Sequence, residues 1–195
     1  LKPDEGIEKE IILGIDPGSR RAGYAVLCRT GSSYKALTLG VLKAEKFDDH
    51  AERLDFLFKE VMKLIDTFKP TMCAIETPVY GKDPLAMLKL GRAQAACILA
   101  IVTKGLPVAE YYPKAVKKSI TGNGNAAKEQ VAYMLGKLLN MDATSLSNDA
   151  TDALAVAWCH SMRRDDPSVQ NPLKKRGRGH SAWGDFINDN PDRVK

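Results

Sequence analysis

The sequence predicts an α/β fold, a mixed five-stranded sheet flanked by helices, and three observations carry that expectation. Short apolar runs at Ile11–Ile15, Met72–Ile75 and Val108–Tyr112 are separated by long stretches with helical apolar spacing, as in strands buried on both faces and joined by helices. Two further runs, Ala22–Thr30 and Tyr34–Lys43, follow the first at hairpin distance, so the sheet opens with three antiparallel strands. Two of the apolar runs also stop on a carboxylate, Asp16 and Glu76, at the strand end where open α/β sheets keep their ligands.

Each element follows from local chemistry. Gly31-Ser32-Ser33 joins the second and third strands. Asp48-Asp49 offers an N-cap for a helix to about Phe68, with Leu54, Leu57, Phe58, Val61, Leu64, Ile65 and Phe68 on one face and Pro70 as its stop. Asp83-Pro84 is an N-cap followed by proline at the first helical position, and that helix runs to a Gly105 stop. Its small residues Gly91, Ala93, Ala95 and Ala96 would allow close packing on the sheet or on another chain. Pro113 starts a short helix ending near Thr121. Gly122-Asn123-Gly124-Asn125 precedes a helix from about Ala126 to Leu139, and the last helix runs from Ser147 or Asn148 to about Arg164.

The 195 residues, 44% of them hydrophobic, suit one domain with a tail. The expected organisation is an N-terminal extension at 1–10, a body at 11–164 and a basic C-terminal tail at 165–195, rich in Pro, Gly, Lys and Arg. Trp183, Phe186 and Ile187 in that tail have the spacing of a short amphipathic turn. The four cysteines are widely spaced in apolar surroundings with no Cys-x-x-Cys, which argues for buried thiols in a reducing compartment and against a zinc site. The longest apolar stretch, Ala95–Val102, is too short to span a bilayer, and the charged N-terminus is not a secretory leader. A cytoplasmic protein with no membrane partner is expected.

Charge is unevenly divided. Residues 1–81 carry −1, residues 82–137 carry +6, residues 138–160 carry −3 and residues 161–195 carry +3. A basic middle between two carboxylate-bearing segments suits an enzyme that binds a polyanion, although a solvated helix face also collects lysines.

Taken alone, Asp16-Pro17-Gly18 reads first as a turn. The rest of the chain changes the weighing. Glu76 ends a second strand in the same way, and Asp149 and Asp152, spaced i, i+3, project from one side of the last helix's first turn. The helix macrodipole accounts for either of those two at about 0.3–1 kcal/mol, but not for acids at two strand ends as well. With the first strand central, all four meet in one cleft, where their repulsion calls for divalent cations: two Mg²⁺ would balance four negative charges. Two-metal sites hold their ions about 3.5–4 Å apart and clamp the attacking and leaving oxygens of an in-line phosphoryl displacement. Backbone amides of the Gly122–Asn125 loop and Lys128 form either a phosphate grip at a helix N-terminus or an ordinary turn with a solvated lysine. His160, two turns beyond Asp152, is expected to be a satisfied helix-end histidine outside the site.

Gly14-Ile15-Asp16-Pro17-Gly18-Ser19-Arg20 with Gly23-Tyr24, Ala74-Ile75-Glu76, Leu88-Lys89-Leu90-Gly91, Val116-Lys117, Gly122-x-Gly124-x-x-x-Lys128-x-Gln130-Val131 and Asp149-x-x-Asp152-Ala153-Leu154 together closely resemble the RuvC-type Holliday-junction resolvases over residues 11–160. The resemblance implies a ribonuclease H-like fold and a homodimer. It also implies Mg²⁺-dependent, or possible Mn²⁺-dependent, paired nicking of four-way DNA junctions that leaves 5′-phosphate and 3′-hydroxyl ends, with the RuvA–RuvB branch-migration complex as partner. The family's catalytic and metal-binding acids fall on Asp16, Glu76, Asp149 and Asp152. Its basic DNA-contacting positions fall on Lys117 and Lys128, with Lys82 a further candidate. The family's DNA-stacking aromatic falls on Val79, so the neighbouring Tyr80 either takes over that role or is an ordinary loop tyrosine. Two other classes compete: a silent junction-binding module whose acids are only caps, and an actin-like ATPase or sugar kinase, for which the chain is too short.

Overall fold

The strand with least to expose takes the centre of the sheet. In the computed structural model, which describes residues 9–79, 81, 83–143 and 145–163, β1 (Lys9–Asp16) is buried at every position from Ile12 to Ile15. It begins at Lys9, two residues inside the expected N-terminal extension. β2 (Arg21–Thr30) pairs antiparallel with it and β3 (Ser33–Lys43) antiparallel with β2. On its other edge β4 (Met72–Glu76) is parallel to β1, and β5 (Val108–Tyr111) is parallel to β4. The order β3-β2-β1-β4-β5 is the mixed five-stranded sheet expected from sequence. A 3-10 turn at Ala44–Lys46 is an addition, too short to leave a periodic signal. Its Glu45 N–H donates to the Arg20 carbonyl at 2.7 Å and ties the end of β3 to the loop after β1.

One face of the sheet is covered by α1 (His50–Phe68) and α2 (Pro84–Thr103). The Asp49 carboxylate caps α1 by accepting from the Glu52 N–H at 3.0 Å. The helix ends at Phe68 with a left-handed cap at Lys69, φ 48, whose N–H donates to the Ile65 carbonyl, and Pro70 has no N–H to continue it. Leu57, Val61 and Ile65 of α1 and Ala93, Cys97, Ala100 and Ile101 of α2 join Leu13, Ile15, Val26, Cys73 and Ile75 of the sheet in one core. By length and composition α2 is the one described helix that could cross a membrane, contrary to the reading of the shorter run 95–102, yet its inner side is part of this core.

The other face carries α5 (Asn148–Arg163), buried without a break from Ala153 to Ser161. Against it pack α3 (Pro113–Thr121) and α4 (Lys128–Leu139). Two glycines let α5 rest directly on the strands. At Gly14 of β1 a Cβ would stand 2.3 Å from the Ala153 carbonyl oxygen, and at Gly23 of β2 one would stand 1.8 Å from that of Asp149. Residues 165–195, with Trp183, Phe186 and Ile187, lie outside the described residues.

Candidate active site

Strand alternation decides which side chains reach α5. Leu13 and Ile15 of β1, and Cys73 and Ile75 of β4, enter the core under α1 and α2, so Gly14, Asp16, Ala74 and Glu76 face the opposite side. The parallel register pairs Ile15 with Ile75, which sets Asp16 beside Glu76 at adjoining strand ends. α5 starts over this point because its first turn closes onto Gly23, the residue paired with Asp16. Ser147 caps that turn: its carbonyl accepts the Thr151 N–H at 3.0 Å. Asp149 and Asp152 then follow on the turn as expected.

The acids do not sit alone. Lys128, the first residue of α4, donates from Nζ to Asp152 Oδ2 at 2.5 Å, and Arg21 Nε donates to Asp149 Oδ2 at 3.0 Å. Burial and then the charges of Asp152 and Asp149 push the Asp16 carboxyl up to about 7, with Lys128 opposing. Burial and then Asp16 and Asp152 push Glu76 up to about 8, with Lys128 and Lys117 opposing. At Lys128 burial disfavours the charged form, but the Asp152 hydrogen bond and the surrounding carboxylates outweigh it and raise its pKa. Asp16, Glu76 and Asp152 are therefore electrostatically one group, and Asp149 acts on it from the Arg21 side.

Lys117 Nζ donates to the Ala126 carbonyl at 2.8 Å, which ties α3 to the residues leading into α4. The loop before α4 is largely self-satisfied: the N–H of Asn123 donates to Thr121 Oγ1, that of Asn125 to Asn123 Oδ1 and that of Ala127 to Gln130 Oε1. It is the turn of the two alternatives rather than a cradle of free amides. The lysine it carries points into the acid cluster, which the helix-terminus argument did not anticipate. Arg21 was missed altogether. His160 is buried away from the acids, its Nδ1 2.8 Å from the Tyr111 hydroxyl, and burial lowers its pKa. Tyr80 and Lys82 lie outside the described residues.

Among the described residues no three carboxylate, histidine or cysteine side chains already form a metal cage. The donor set nevertheless fits a hard divalent cation: all four candidates are carboxylates, and burial together with the neighbouring acids makes the charged form of two of them costly. A pH dependence follows. Asp16 and Glu76 have folded-state pKa values above their unfolded ones, so the folded state binds more protons and loses stability as pH rises. Without divalent cation, the melting temperature of wild type relative to Asp16→Asn should fall from about pH 4 to pH 8 and then level. Mg²⁺ should flatten the decline, and calorimetry across that range checks both.

A five-stranded mixed sheet of this order, with carboxylates gathered where β1, β4 and the start of α5 meet, defines a ribonuclease H-like nuclease. The family model "Crossover junction endodeoxyribonuclease RuvC" matches residues 12–160, and the chain belongs to this family. Proteins of that name from Salinibacter ruber and Cytophaga hutchinsonii are 42% and 43% identical to it, over 94% and 95% of this chain and 98% and 88% of theirs. The structure of Thermus thermophilus RuvC in complex with Holliday junction substrate superposes with a TM-score of 0.74 at 29% identity, covering 80% of this chain and 94% of that one.

Proposed function

We propose that this protein resolves four-way DNA junctions in recombination and repair by paired symmetric nicks that leave 5′-phosphate and 3′-hydroxyl ends. The observation that carries the reading is the convergence of strand-end acids Asp16 and Glu76 with Asp152 around Lys128, in a chain of the RuvC family. Asp16, Glu76, Asp149 and Asp152 would hold two divalent cations, Mg²⁺ or Mn²⁺. The cations supply what such ions supply to phosphodiester hydrolysis, an activated water and charge stabilisation of the leaving oxygen. Asp16 and Glu76, fixed by strand ends, set the floor of the site, while the two α5 acids close it from one side. The deciding experiment offers the protein a synthetic junction, a matching duplex and an RNA–DNA hybrid, with Mg²⁺ or chelator. Symmetric nicks confined to the junction are expected, and cutting only the hybrid would make the protein a ribonuclease instead.

Lys117 and Lys128 serve as basic contacts to DNA at the mouth of this cluster; Lys82 is a further basic candidate, and Tyr80 is a candidate for base stacking. Lys117→Ala should weaken junction binding and reduce the slope of log affinity against log salt by about one. An unchanged slope would remove Lys117 from the backbone contacts.

The working unit is a homodimer, whose two-fold axis suits a nearly symmetric four-way substrate. Support comes from α2, whose Leu85, Leu88, Leu99 and Val102 stand more than half exposed on one side, with open space above Gly91 between them. Leu88→Asp combined with Leu99→Asp should convert dimer to monomer in sedimentation and uncouple the paired nicks. We also place the protein in the cytoplasm, acting with the RuvA–RuvB branch-migration complex.

A further inference from the structure

Arg21 lies in the gap between the motif residues Arg20 and Gly23, and the chemistry above gives it no task. Its Nε reaches Asp149 across 128 residues of chain. The two side chains are 43% and 33% exposed, so the pair resembles an ordinary surface contact until its mounting is considered. Gly23, two residues along the same strand, lets the Asp149 carbonyl approach to where a Cβ would be 1.8 Å away. Arg21 and Asp149 thus project from two elements whose backbones touch, which keeps the two side chains within reach of each other. A guanidinium stays charged throughout the accessible pH range. It is a permanent cation fixed beside one acid of a set that must accept a divalent ion.

The other α5 acid has a partner of the same sign, Lys128 on Asp152. Among the described residues, Asp16 and Glu76 form no ion pair. The cluster is therefore divided: each helix acid is paired with a cation of the chain and the strand acids are not.

We propose that Arg21 is a positioning residue that occupies Asp149 in the metal-free site and thereby sets the divalent-cation concentration at which the cluster fills. The inference rests on the four acids being the cation site. A cation taking Asp149 must either displace the guanidinium from Oδ2 or bind Oδ1 with the guanidinium still beside it as a like charge, and either way binding is opposed. In the absence of the ion, the same contact relieves the repulsion of Asp149 with its neighbours.

The test uses the full chain without DNA, as wild type, Arg21→Gln and Arg21→Lys. Mn²⁺ binding is followed by electron paramagnetic resonance of the free ion, and each protein is melted in EDTA and in saturating Mn²⁺. Arg21→Gln should half-fill at about two- to five-fold lower Mn²⁺ than wild type, the range an exposed ion pair allows. It should melt below wild type in EDTA, with the gap closing at saturating Mn²⁺. Arg21→Lys, which keeps the charge, should stay near wild type in both measurements. Unchanged or weaker Mn²⁺ binding by Arg21→Gln overturns the proposal. Asp16→Asn separates the two failures. If it binds Mn²⁺ like wild type, the acids are not the cation site and both readings fall. If it loses Mn²⁺ while Arg21→Gln behaves as wild type, only the role of Arg21 falls.

Discussion

Asp16→Asn should bind a four-way junction with near wild-type affinity and fail to cut it, with the single-turnover rate down by about a thousand-fold or more. The expectation starts from the placement of the side chain. Asp16 ends the central strand, lies beside Glu76 in the parallel register, and feels the charges of both Asp152 and Asp149. It sits beside Glu76 and within reach of both α5 acids, so its loss removes a shared member of the cation site. Asparagine keeps the shape and one oxygen but not the charge. The fold should survive, because the carboxylate is costly where it stands: burial and neighbouring acids push it up to about 7, and a neutral amide escapes that penalty. In EDTA at pH 8 the variant should therefore melt at or above wild type. Gel shift in chelator, quenched-flow cleavage with Mg²⁺ and a melting curve separate the three effects. A variant that still nicked at near wild-type rate would remove Asp16 from the chemistry.

Asp16 and Glu76 were legible because a strand end is a local event: an apolar run, a carboxylate, then residues that cannot continue the strand. Asp149 and Asp152 were legible because i, i+3 spacing fixes one helix face whatever the helix packs on. The direction of Lys128 was not. A lysine at a helix N-terminus can turn to solvent or inward, and the choice depends on Asp152, which the sequence does not place beside it. Arg21 left no signal for the same reason, since its partner is defined only once β2 and α5 are in contact. α4 starts at Lys128, two residues later than the expected start directly after the Gly122–Asn125 loop. The Ala126 N–H instead closes a turn onto the Asn123 carbonyl at 3.2 Å, and this local bond holds the helix back to Lys128.

The second large effect should come from a residue that carries no chemistry. Gly23→Ala adds one methyl group, and its Cβ would stand 1.8 Å from the Asp149 carbonyl oxygen and 2.4 Å from the carbonyl carbon. Neither atom belongs to a flexible side chain that could swing aside. β2 is held between β1 and β3 by antiparallel pairing on both edges, so the strand has little room to yield. The first turn of α5 must lift instead, and Asp149 and Asp152 lift with it. Overpacking of this kind costs about 1–3 kcal/mol, or a fall of roughly 2–4 °C in melting temperature per kcal/mol for a chain of this size. The catalytic loss should be larger in proportion, because a displacement of about 1 Å in a positioned group can cost on the order of a hundred-fold in rate. Gly23→Ala should thus remain folded at 25 °C, bind junction DNA through its unaltered basic surface, and cut at least about a hundred-fold more slowly. Gly14→Ala makes the informative comparison. Its Cβ would strike α5 at Ala153 and Ala157, further from the acids, so its stability loss should be comparable and its rate loss smaller. Equal rate losses in the two variants would mean that α5 moves as a rigid rod. A Gly23→Ala enzyme of full activity would show that the contact between β2 and α5 does not position the acids.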